Sequence, residues 1–368
     1  MARLENVCEI LDSKRIPITA KDRVAGPYPY YGANGVQDYV AEYIFDDELV
    51  LLAEDGGHFG SADKPIAYRV SGKCWVNNHA HVLKAKDCID VDYLCYSLMF
   101  RDVSDIVNGA TRQKLTQADM RKIEIPLLSL EEQQSVADKI SKVFELIALR
   151  KEQLAALDQL VKSRFIELFG TYPSNPMGWE CGTIRDIVAD VRYGSSRPAV
   201  DGGKYPYLRM NNITYGGELD LTDTKRIDVP ENELDKCTVR RGDVLFNRTN
   251  SKELVGKTCV YNRDEMMVLA GFVIRVRVTE RVLPEFLSAF LNTDFSKQML
   301  LGMCKAAIGQ ANINAQEMQN IGLYLPPIEL QRQFVQFKEQ TDKSKLAIQR
   351  SLDELETLKK ALMQKYFG

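Results

Sequence analysis

The feature that most constrains the fold of this 368-residue chain is an internal repeat. The chain ends in Phe367-Gly368, and the pair Phe169-Gly170 stands 198 residues earlier. Leucines at 352, 355 and 358 fall on leucines at 154, 157 and 160 with the same offset. Residues 125–133 (IPLLSLEEQ) match residues 325–333 (LPPIELQRQ) at an offset of 200, which predicts that the second copy has lost two residues within its helix. A solenoid would need more and shorter repeats, so the pattern indicates one unit that occurs twice.

The segments before these helices also occur twice. Residues 28–36 (YPYYGANGV) resemble residues 205–213 (YPYLRMNNI), residues 4–7 resemble 184–187, and residues 118–123 resemble 316–321. The offset drifts between these matches, which indicates loops of different length. Each copy is therefore predicted to be a globular domain followed by a long helix.

Each copy ends in a segment with the pattern of a coiled-coil helix. Ser129 and Glu132 form a capping-box signature at the start of the first. Apolar residues then follow at a spacing of three and four, which is a heptad pattern over about 40 residues or roughly 60 Å of helix. Because each helix has one apolar stripe, the most economical partner for each is the other, in an antiparallel pair. The alternative is that each helix packs on its own domain.

The globular halves are rich in short apolar runs with β-branched and aromatic residues, which predict the strands of a curved or barrel-like sheet. The predicted fold class is α+β, with two mixed α/β domains joined by two long antiparallel coiled-coil helices in a pseudo-two-fold repeat. The predicted boundaries are 1–125 for the first domain, 126–170 for the central helix and 171–182 for a Pro/Gly-rich linker. The second domain is predicted at 183–325 and the C-terminal helix at 326–368.

Composition and motifs exclude several classes of protein. Hydrophobic residues make up 45% of the chain, which excludes a disordered protein, and 48 basic against 51 acidic residues exclude a histone-like cation. No apolar run is long enough for a membrane span and no signal-peptide pattern opens the chain, so we expect a cytoplasmic protein. The eight cysteines form no Cys-x-x-Cys pair, which argues against zinc, and we expect reduced thiols.

No catalytic motif is recognisable in the sequence. Residues 256–258 (GKT) lack the first glycine of a P-loop, and no Gly-x-Gly-x-x-Gly occurs. The Asn/Asp-Pro-Pro-Tyr/Phe signature of amino-methyltransferases and the Pro-Asp of common metal-dependent nucleases are also missing. His79 and His81 have no Asp, Cys or Ser placed nearby in sequence to orient them. We therefore predict no catalytic residue, no metal site and no cofactor in this chain.

Basic and amide residues instead cluster in loops at matched places of the two halves. Residues 192–212 hold four basic residues and one acid, and residues 240–258 hold five basic residues and two acids, so each carries a formal charge of +3. Arginine pairs with guanine and asparagine with adenine, so these side chains are suited to reading DNA, although a solvated loop is the alternative for each cluster. The candidate DNA-binding residues are Lys14, Arg15, Asn34, Gln37, Asn77, Asn78, His79, Arg112, Lys114, Arg192, Arg197, Arg209, Asn211, Asn212, Arg248, Asn250, Lys252 and Gln310.

The doubled domain–helix order resembles the specificity subunits of type I restriction–modification enzymes. The resemblance is carried by residues 26–35 (GPYPYYGANG), residues 77–80 (NNHA), the helix start at 126–133 and the Phe-Gly at the end of each helix, and it covers the whole chain. It implies that each globular half is a target-recognition domain for one half of a split double-stranded DNA site. It also implies that the helices fix the gap between the half-sites and dock two modification subunits.

Further implications of the resemblance concern chemistry. S-adenosylmethionine and adenine methylation would belong to the partner modification subunits, motor–nuclease subunits would be optional partners, and this chain would have no active site. Two other hypotheses stay open on sequence alone. One is a coiled-coil scaffold whose end domains bind proteins, and the other is an enzyme with an unrecognised site.

Overall fold

The computed structural model describes residues 1–109, 113–304 and 311–368. It divides into two compact units. Unit 1 comprises Met1–Glu152 and Ile348–Gly368, and unit 2 comprises Gln153–Ala347. Each unit therefore combines a globular part with portions of two long helices that are far apart in sequence.

Unit 1 is built on one sheet of six strands in the order β2-β7-β5-β6-β3-β4. Its strands are β1 (Ala2–Arg3), β2 (Cys8–Ile10), β3 (Ala25–Gly32), β4 (Gly35–Val40), β5 (Phe45–Ala53), β6 (Ala67–Val76), β7 (Ala80–Ala85) and β8 (Glu124–Ile125). Its helices are α1 (Leu4–Val7), α2 (Val91–Met99), α3 (Gln117–Met120) and the first part of α4 (Leu130–Phe169). All pairs in the large sheet are antiparallel except β3 with β6.

Alternation along β5 separates two apolar clusters in unit 1. Val50 and Leu52 face the main core, which also contains Leu94 of α2 and Ile140 of α4. Leu49 and Leu51 point to the opposite face of the sheet and pack in a second cluster. Successive side chains of a strand point to opposite faces, so a continuous apolar run buries both faces of this strand.

Unit 2 has two four-stranded sheets, in the orders β10-β18-β14-β16 and β12-β11-β17-β13. Its strands are β9 (Glu180–Thr183), β10 (Val188–Tyr193), β11 (Tyr205–Leu208), β12 (Lys225–Ile227), β13 (Thr238–Val239), β14 (Val244–Asn247), β15 (Thr249–Asn250), β16 (Thr258–Val260), β17 (Met267–Leu269), β18 (Val273–Val278), β19 (Ala311–Asn312) and β20 (Gly322–Leu325). Its helices are α5 (Glu231–Cys237), α6 (Pro284–Leu291), α7 (Asp294–Met303), α8 (Ala315–Gln319) and the first part of α9 (Ile328–Phe367).

The two units repeat the same strand register. Tyr30 of β3 pairs in parallel with Trp75, and Tyr207 of β11 pairs in parallel with Val268. Val50 of β5 lies opposite Leu83, as Val244 of β14 lies opposite Val276. The internal repeat predicted from the sequence is therefore confirmed at the level of strand pairing. The units differ where the long β6 of unit 1 is divided in unit 2 into β16 and β17, which are separated by the six residues 261–266.

The helices α4 and α9 each contain 40 residues and pair antiparallel within both units. In unit 1, Nε of Arg150 donates to Oγ of Ser351 at 3.2 Å, and the ammonium of Lys359 lies 5.8 Å from the ring of Phe144. In unit 2, the rings of Phe165 and Phe334 are 5.3 Å apart and Lys345 is 2.7 Å from Asp158. In both units, a residue later in α4 contacts a residue earlier in α9, as expected for two antiparallel helices. The alternative in which each helix packs only on its own domain is therefore wrong.

One detail of the predicted repeat is also wrong. The helices are equally long and begin and end 198 residues apart, so the second copy has not lost two residues within its helix. The match at an offset of 200 paired two Leu/Ile-Pro sequences that occupy different places in the fold. The buried side chains of Gln133 and Gln331 identify the true correspondence, since they donate to Leu128 O and Pro326 O, each five residues earlier and each at 2.9 Å.

None of the described helices is long and apolar enough to span a lipid bilayer.

Candidate nucleic-acid interface

In unit 1 the structure brings five predicted site residues into one cluster of turns. Asn34 lies in the turn between β3 and β4, and its Nδ2 donates to Gly56 O at 3.0 Å. Nδ2 of Asn77, in the turn between β6 and β7, donates to Oε1 of Gln37 at 3.1 Å. Asn77 is buried and its Oδ1 accepts from the backbone of His79, so it shapes the turn. Asn34, Gln37 and Asn78 are exposed, and the amides of Asn34 and Gln37 each keep one group that these contacts do not use.

Two further candidates of unit 1 are held inward by a buried acid. Glu54 directly follows β5, and its carboxylate accepts from Arg15 Nη1 at 2.5 Å and pairs with Lys114 Nζ at 2.9 Å. Burial raises the pKa of Glu54, but the hydrogen bonds from Lys114 and Arg15, together with the charges of His81 and Arg15, outweigh it and leave the pKa below its usual range. Lys14, one residue before Arg15, is exposed.

A second acid, Asp12, extends this arrangement into a network. Nδ1 of buried His81 lies 2.6 Å from Asp12 Oδ2, and its Nε2 lies 2.9 Å from the carbonyl of Leu115. Burial raises the pKa of Asp12, but the hydrogen bond and charge of His81, together with hydrogen bonds from Val82 N and Gln117, outweigh it and leave the pKa below its ordinary value. Nδ1 of His79 is likewise 2.8 Å from Asp55 Oδ1. Sequence reasoning missed all three acids, because each is brought to its histidine only by strand pairing.

Asp12, Glu54 and His81 place one ligand atom each within 4.8 Å of one another, which is close enough for a metal ion to be considered. The donors do not fit that use. Both ring nitrogens of His81 lie within hydrogen-bond distance of a protein oxygen, and the Glu54 oxygens are engaged by cationic Arg15 and Lys114, so the three groups already have partners within the protein. The geometry is that of a charge-compensated hydrogen-bond network, which fixes the loops that carry the predicted DNA-binding residues.

In unit 2 three predicted arginines are paired with carboxylates. Arg197 makes a bidentate contact to Glu233 at 2.7 and 3.2 Å, Arg192 lies 2.9 Å from Asp190, and Arg209 lies 2.8 Å from Asp223. Asn212 is buried, and its side chain binds the backbone of Arg209, Asp220 and Asp223. Its neighbour Asn211 is exposed.

Arg248 differs from those three arginines. It directly follows β14, and its guanidinium lies 5.0 Å from the ring centroid of Tyr193. Within the part of the chain that the structure describes, no carboxylate is ion-paired with Arg248, and its Nε is a buried donor without a hydrogen-bond partner. Asn250 lies in the two-residue strand β15, which pairs with β19, and Lys252 is exposed in the following turn. Arg112 and Gln310 lie outside the described residues.

Each unit thus displays polar loops on a fixed scaffold, with some cations neutralised internally and others not. Exposed amides can donate and accept at base edges, and unpaired arginine can make a bidentate contact to guanine. Cations held by carboxylates can bind phosphate only if they exchange that partner. The arrangement suits recognition of DNA more than chemistry on a small molecule.

Comparisons with known proteins identify relatives over the whole chain. A family model described as the type I restriction modification DNA specificity domain matches residues 1–159 and 176–357. The EcoKI type I restriction enzyme specificity subunit of Escherichia coli K12 is 23% identical over 344 residues, which cover 87% of this chain and 74% of that protein. A stretch of 150 residues is 37% identical to S.HindORF215P of Haemophilus influenzae and covers 40% of this chain and 37% of that protein.

A solved structure shares the fold. The crystal structure of a type I restriction–modification system S subunit from M. genitalium superposes with a TM-score of 0.62 at 14% sequence identity. The superposition covers 100% of this chain and 95% of that one.

Proposed function

Because the chain belongs to the family of type I restriction–modification DNA specificity subunits, we propose that its two globular parts each read one half of a split double-stranded DNA site. The observation that carries this proposal is the duplicated scaffold. The same strand register recurs in both units, while the side chains at the corresponding loops differ. Two readers with one backbone and different side chains would recognise two different half-sites in a fixed relation.

The division of labour within each reader follows from the contacts of its side chains. Exposed Asn34, Gln37 and Asn78 in unit 1 are assigned to base edges, as are half-buried Arg248 and Asn250 in unit 2. Lys14 and Lys252 are exposed lysines and are assigned to phosphates. Contacts to phosphates provide affinity but carry no sequence information. The buried Asn77 and Asn212 shape their loops and act on DNA only through them.

The two long helices are assigned the spacing between half-sites and the docking of two modification subunits. Although α4 and α9 pair with each other, large apolar side chains on them remain exposed, between 45% and 54% of their surface for Leu149, Leu160, Ile166, Leu346 and Leu358. We assign these side chains to the surface that binds the modification subunits, since a contiguous exposed apolar patch marks a protein interaction site.

Catalysis is assigned to the partners. The modification subunits would hold S-adenosylmethionine and methylate adenine within the site, and motor–nuclease subunits would join in a restriction complex. We assign no catalytic residue to this chain, whose contribution to the reaction is to position the complex on its target.

The test is to map methylated adenines in DNA from cells that express this chain with its modification subunit. We expect one bipartite motif with a gap of fixed length, which disappears when the gene for this chain is deleted. A modification subunit inactivated at its active site is the control for background methylation. Methylation without a bipartite motif, or a motif that persists without this chain, would refute the proposal.

A further inference from the structure

Unit 2 presents an aromatic–arginine patch formed by Tyr193, Arg248 and Phe272. Phe272 is 52% exposed and Tyr193 is 45% exposed, so each ring leaves about half of its surface open to a ligand. The guanidinium of Arg248 lies 5.0 Å from the centre of the Tyr193 ring. Nε of Arg248 is buried, so its two Nη groups are the donors that a ligand can reach, and the patch combines these directed donors with an apolar ring.

The backbone beneath the patch is held on several sides. Gly271 N donates to Ser195 O at 2.7 Å, Val273 N to Ala270 O at 2.9 Å, and Arg248 N to Phe272 O at 3.0 Å. Gly194 permits this close approach, since a Cβ there would lie 2.2 Å from Leu269 O. Phe272 is therefore presented from a tight, fixed turn and its exposure follows from that geometry.

The corresponding positions of unit 1 are occupied by different residues with different ion-pair partners. Glu54 N donates to His79 O and Leu115 N to Glu54 O, as Arg248 N donates to Phe272 O and Ile313 N to Arg248 O. Glu54 thus corresponds to Arg248, and His79 to Phe272. In unit 1 the charge at this place is satisfied internally by Arg15 and Lys114. In unit 2 the arginine has no carboxylate partner among the described residues, so its charge is available to a ligand.

We propose that this patch reads a guanine next to a thymine, with Arg248 donating to guanine O6 and N7 and Phe272 packing on the C5 methyl group of the thymine. The inference rests on the proposed function and specifies part of the half-site that unit 2 reads. A bidentate contact from arginine to guanine places the guanidinium in the major groove, where the thymine methyl also projects. Phe272 is half exposed and its backbone is hydrogen-bonded to that of Arg248, so we place its ring against this methyl group when Arg248 binds the guanine.

The experiment replaces each thymine of the mapped half-sites, one at a time, with deoxyuridine, which removes only the methyl group. Binding is measured for the complex of this chain with its modification subunits. We expect one thymine beside a guanine, in the half-site read by unit 2, to weaken binding about three- to fivefold when demethylated, as for the loss of one buried methyl group. Phe272→Ala should bind the unmodified site that much more weakly and be insensitive to deoxyuridine at that position. Phe272→Leu should retain part of the sensitivity.

Met266→Ala is the matched control, because Met266 is also a half-exposed apolar residue of unit 2 and should leave the deoxyuridine profile unchanged. The temperature of thermal unfolding should change little in all three variants, since about half of each side chain is exposed. Sequence-selective binding with a flat deoxyuridine profile, or a Phe272→Ala variant that keeps the wild-type sensitivity, would overturn this inference and leave the proposed function intact. Absence of sequence-selective binding by the wild-type complex would refute both.

Discussion

At the scale of single residues, an arginine's internal partner decides what it can do on DNA. Arg197 is held by both oxygens of Glu233, whereas Arg248 stacks on Tyr193 without a carboxylate partner among the described residues. Both belong to basic clusters that look alike in sequence. The structure therefore separates candidates that charge counting treats as equal.

Arg248→Ala should cost about 1–3 kcal/mol of specific binding and relax recognition of one half-site only. The physical reason is the loss of a bidentate contact to a guanine. Binding of the assembled complex to variant sites at several salt concentrations measures the effect. Arg197→Ala is the matched control and should cost less, because its guanidinium already binds Glu233.

Two other outcomes for Arg248→Ala would contradict this assignment. If Arg248 only touches phosphate, affinity falls evenly on all sequences and the salt slope shrinks by about one unit. If preference changes in both half-sites together, the model of two independent readers is wrong.

Asp12→Asn should destabilise unit 1 by about 3–5 kcal/mol at neutral pH, since it removes one member of a buried charged network. The pKa of Asp12 is lowered in the folded state, so its ionised form contributes stability above its ordinary pKa, and this contribution is lost as the pH falls through the folded value. The difference in free energy of unfolding between wild type and variant should therefore shrink below about pH 4. Denaturant unfolding across that range measures it.

Asp22→Asn is the control for this pH dependence, because Asp22 is exposed. It should change the free energy of unfolding little at any pH. A difference for Asp12→Asn that stays constant as the pH falls would contradict the assignment of its effect to the ionised carboxylate.

At the scale of elements, the same buried glutamine joins each long helix to its domain. Oε1 of Gln133 accepts from the backbone of Asp90, at the start of α2, and Nε2 donates to the carbonyls of Cys88 and Leu128. Gln331 repeats this with Leu283 at the start of α6 and the carbonyls of Arg281 and Pro326. These contacts fix the direction in which each helix leaves its globular part.

Gln133→Ala should lower the free energy of unfolding of unit 1 by about 1–3 kcal/mol, because it leaves a buried backbone N–H without its acceptor. Gln331→Ala should have a similar effect in unit 2. Gln134 and Gln333 are exposed residues close by on the same helices, so Gln134→Ala and Gln333→Ala serve as controls. Equal effects of the buried and exposed substitutions would show that these glutamines do not fix the helix start.

Local patterns predicted the helices well. The capping box is present, with Ser129 N donating to Glu132 and Glu132 N donating to Ser129, and heptad spacing gave the antiparallel pair. The exact correspondence of the copies could not be read locally, because Ile125-Pro126 and Leu325-Pro326 look alike but stand at different places in the fold. The Asp12–His81–Glu54 network could not be predicted from the sequence either, because its members come close together only when β5 and β7 pair.

At the scale of the whole molecule, each long helix belongs half to one unit and half to the other. The helices pass between the units after Glu152 and after Ala347. Extra residues at these two points would leave the internal contacts of both units unchanged. The function proposed for the helices as a spacer can therefore be tested separately from the readers.

Seven residues that continue the heptad pattern, inserted after both Glu152 and Ala347, should lengthen the helix pair by about 10 Å. A whole heptad keeps the apolar seam aligned, whereas an insertion of four residues would shift it. If the helices set the gap, the methylated motif should gain about three base pairs between unchanged half-sites, at roughly 3.4 Å per base pair. Mapping methylated adenines measures the gap, and size-exclusion chromatography with the modification subunits establishes that the lengthened chain assembles. A complex that assembles and methylates the original motif would exclude the helices as the spacer, because the readers would then be held at a distance that the helix length does not determine.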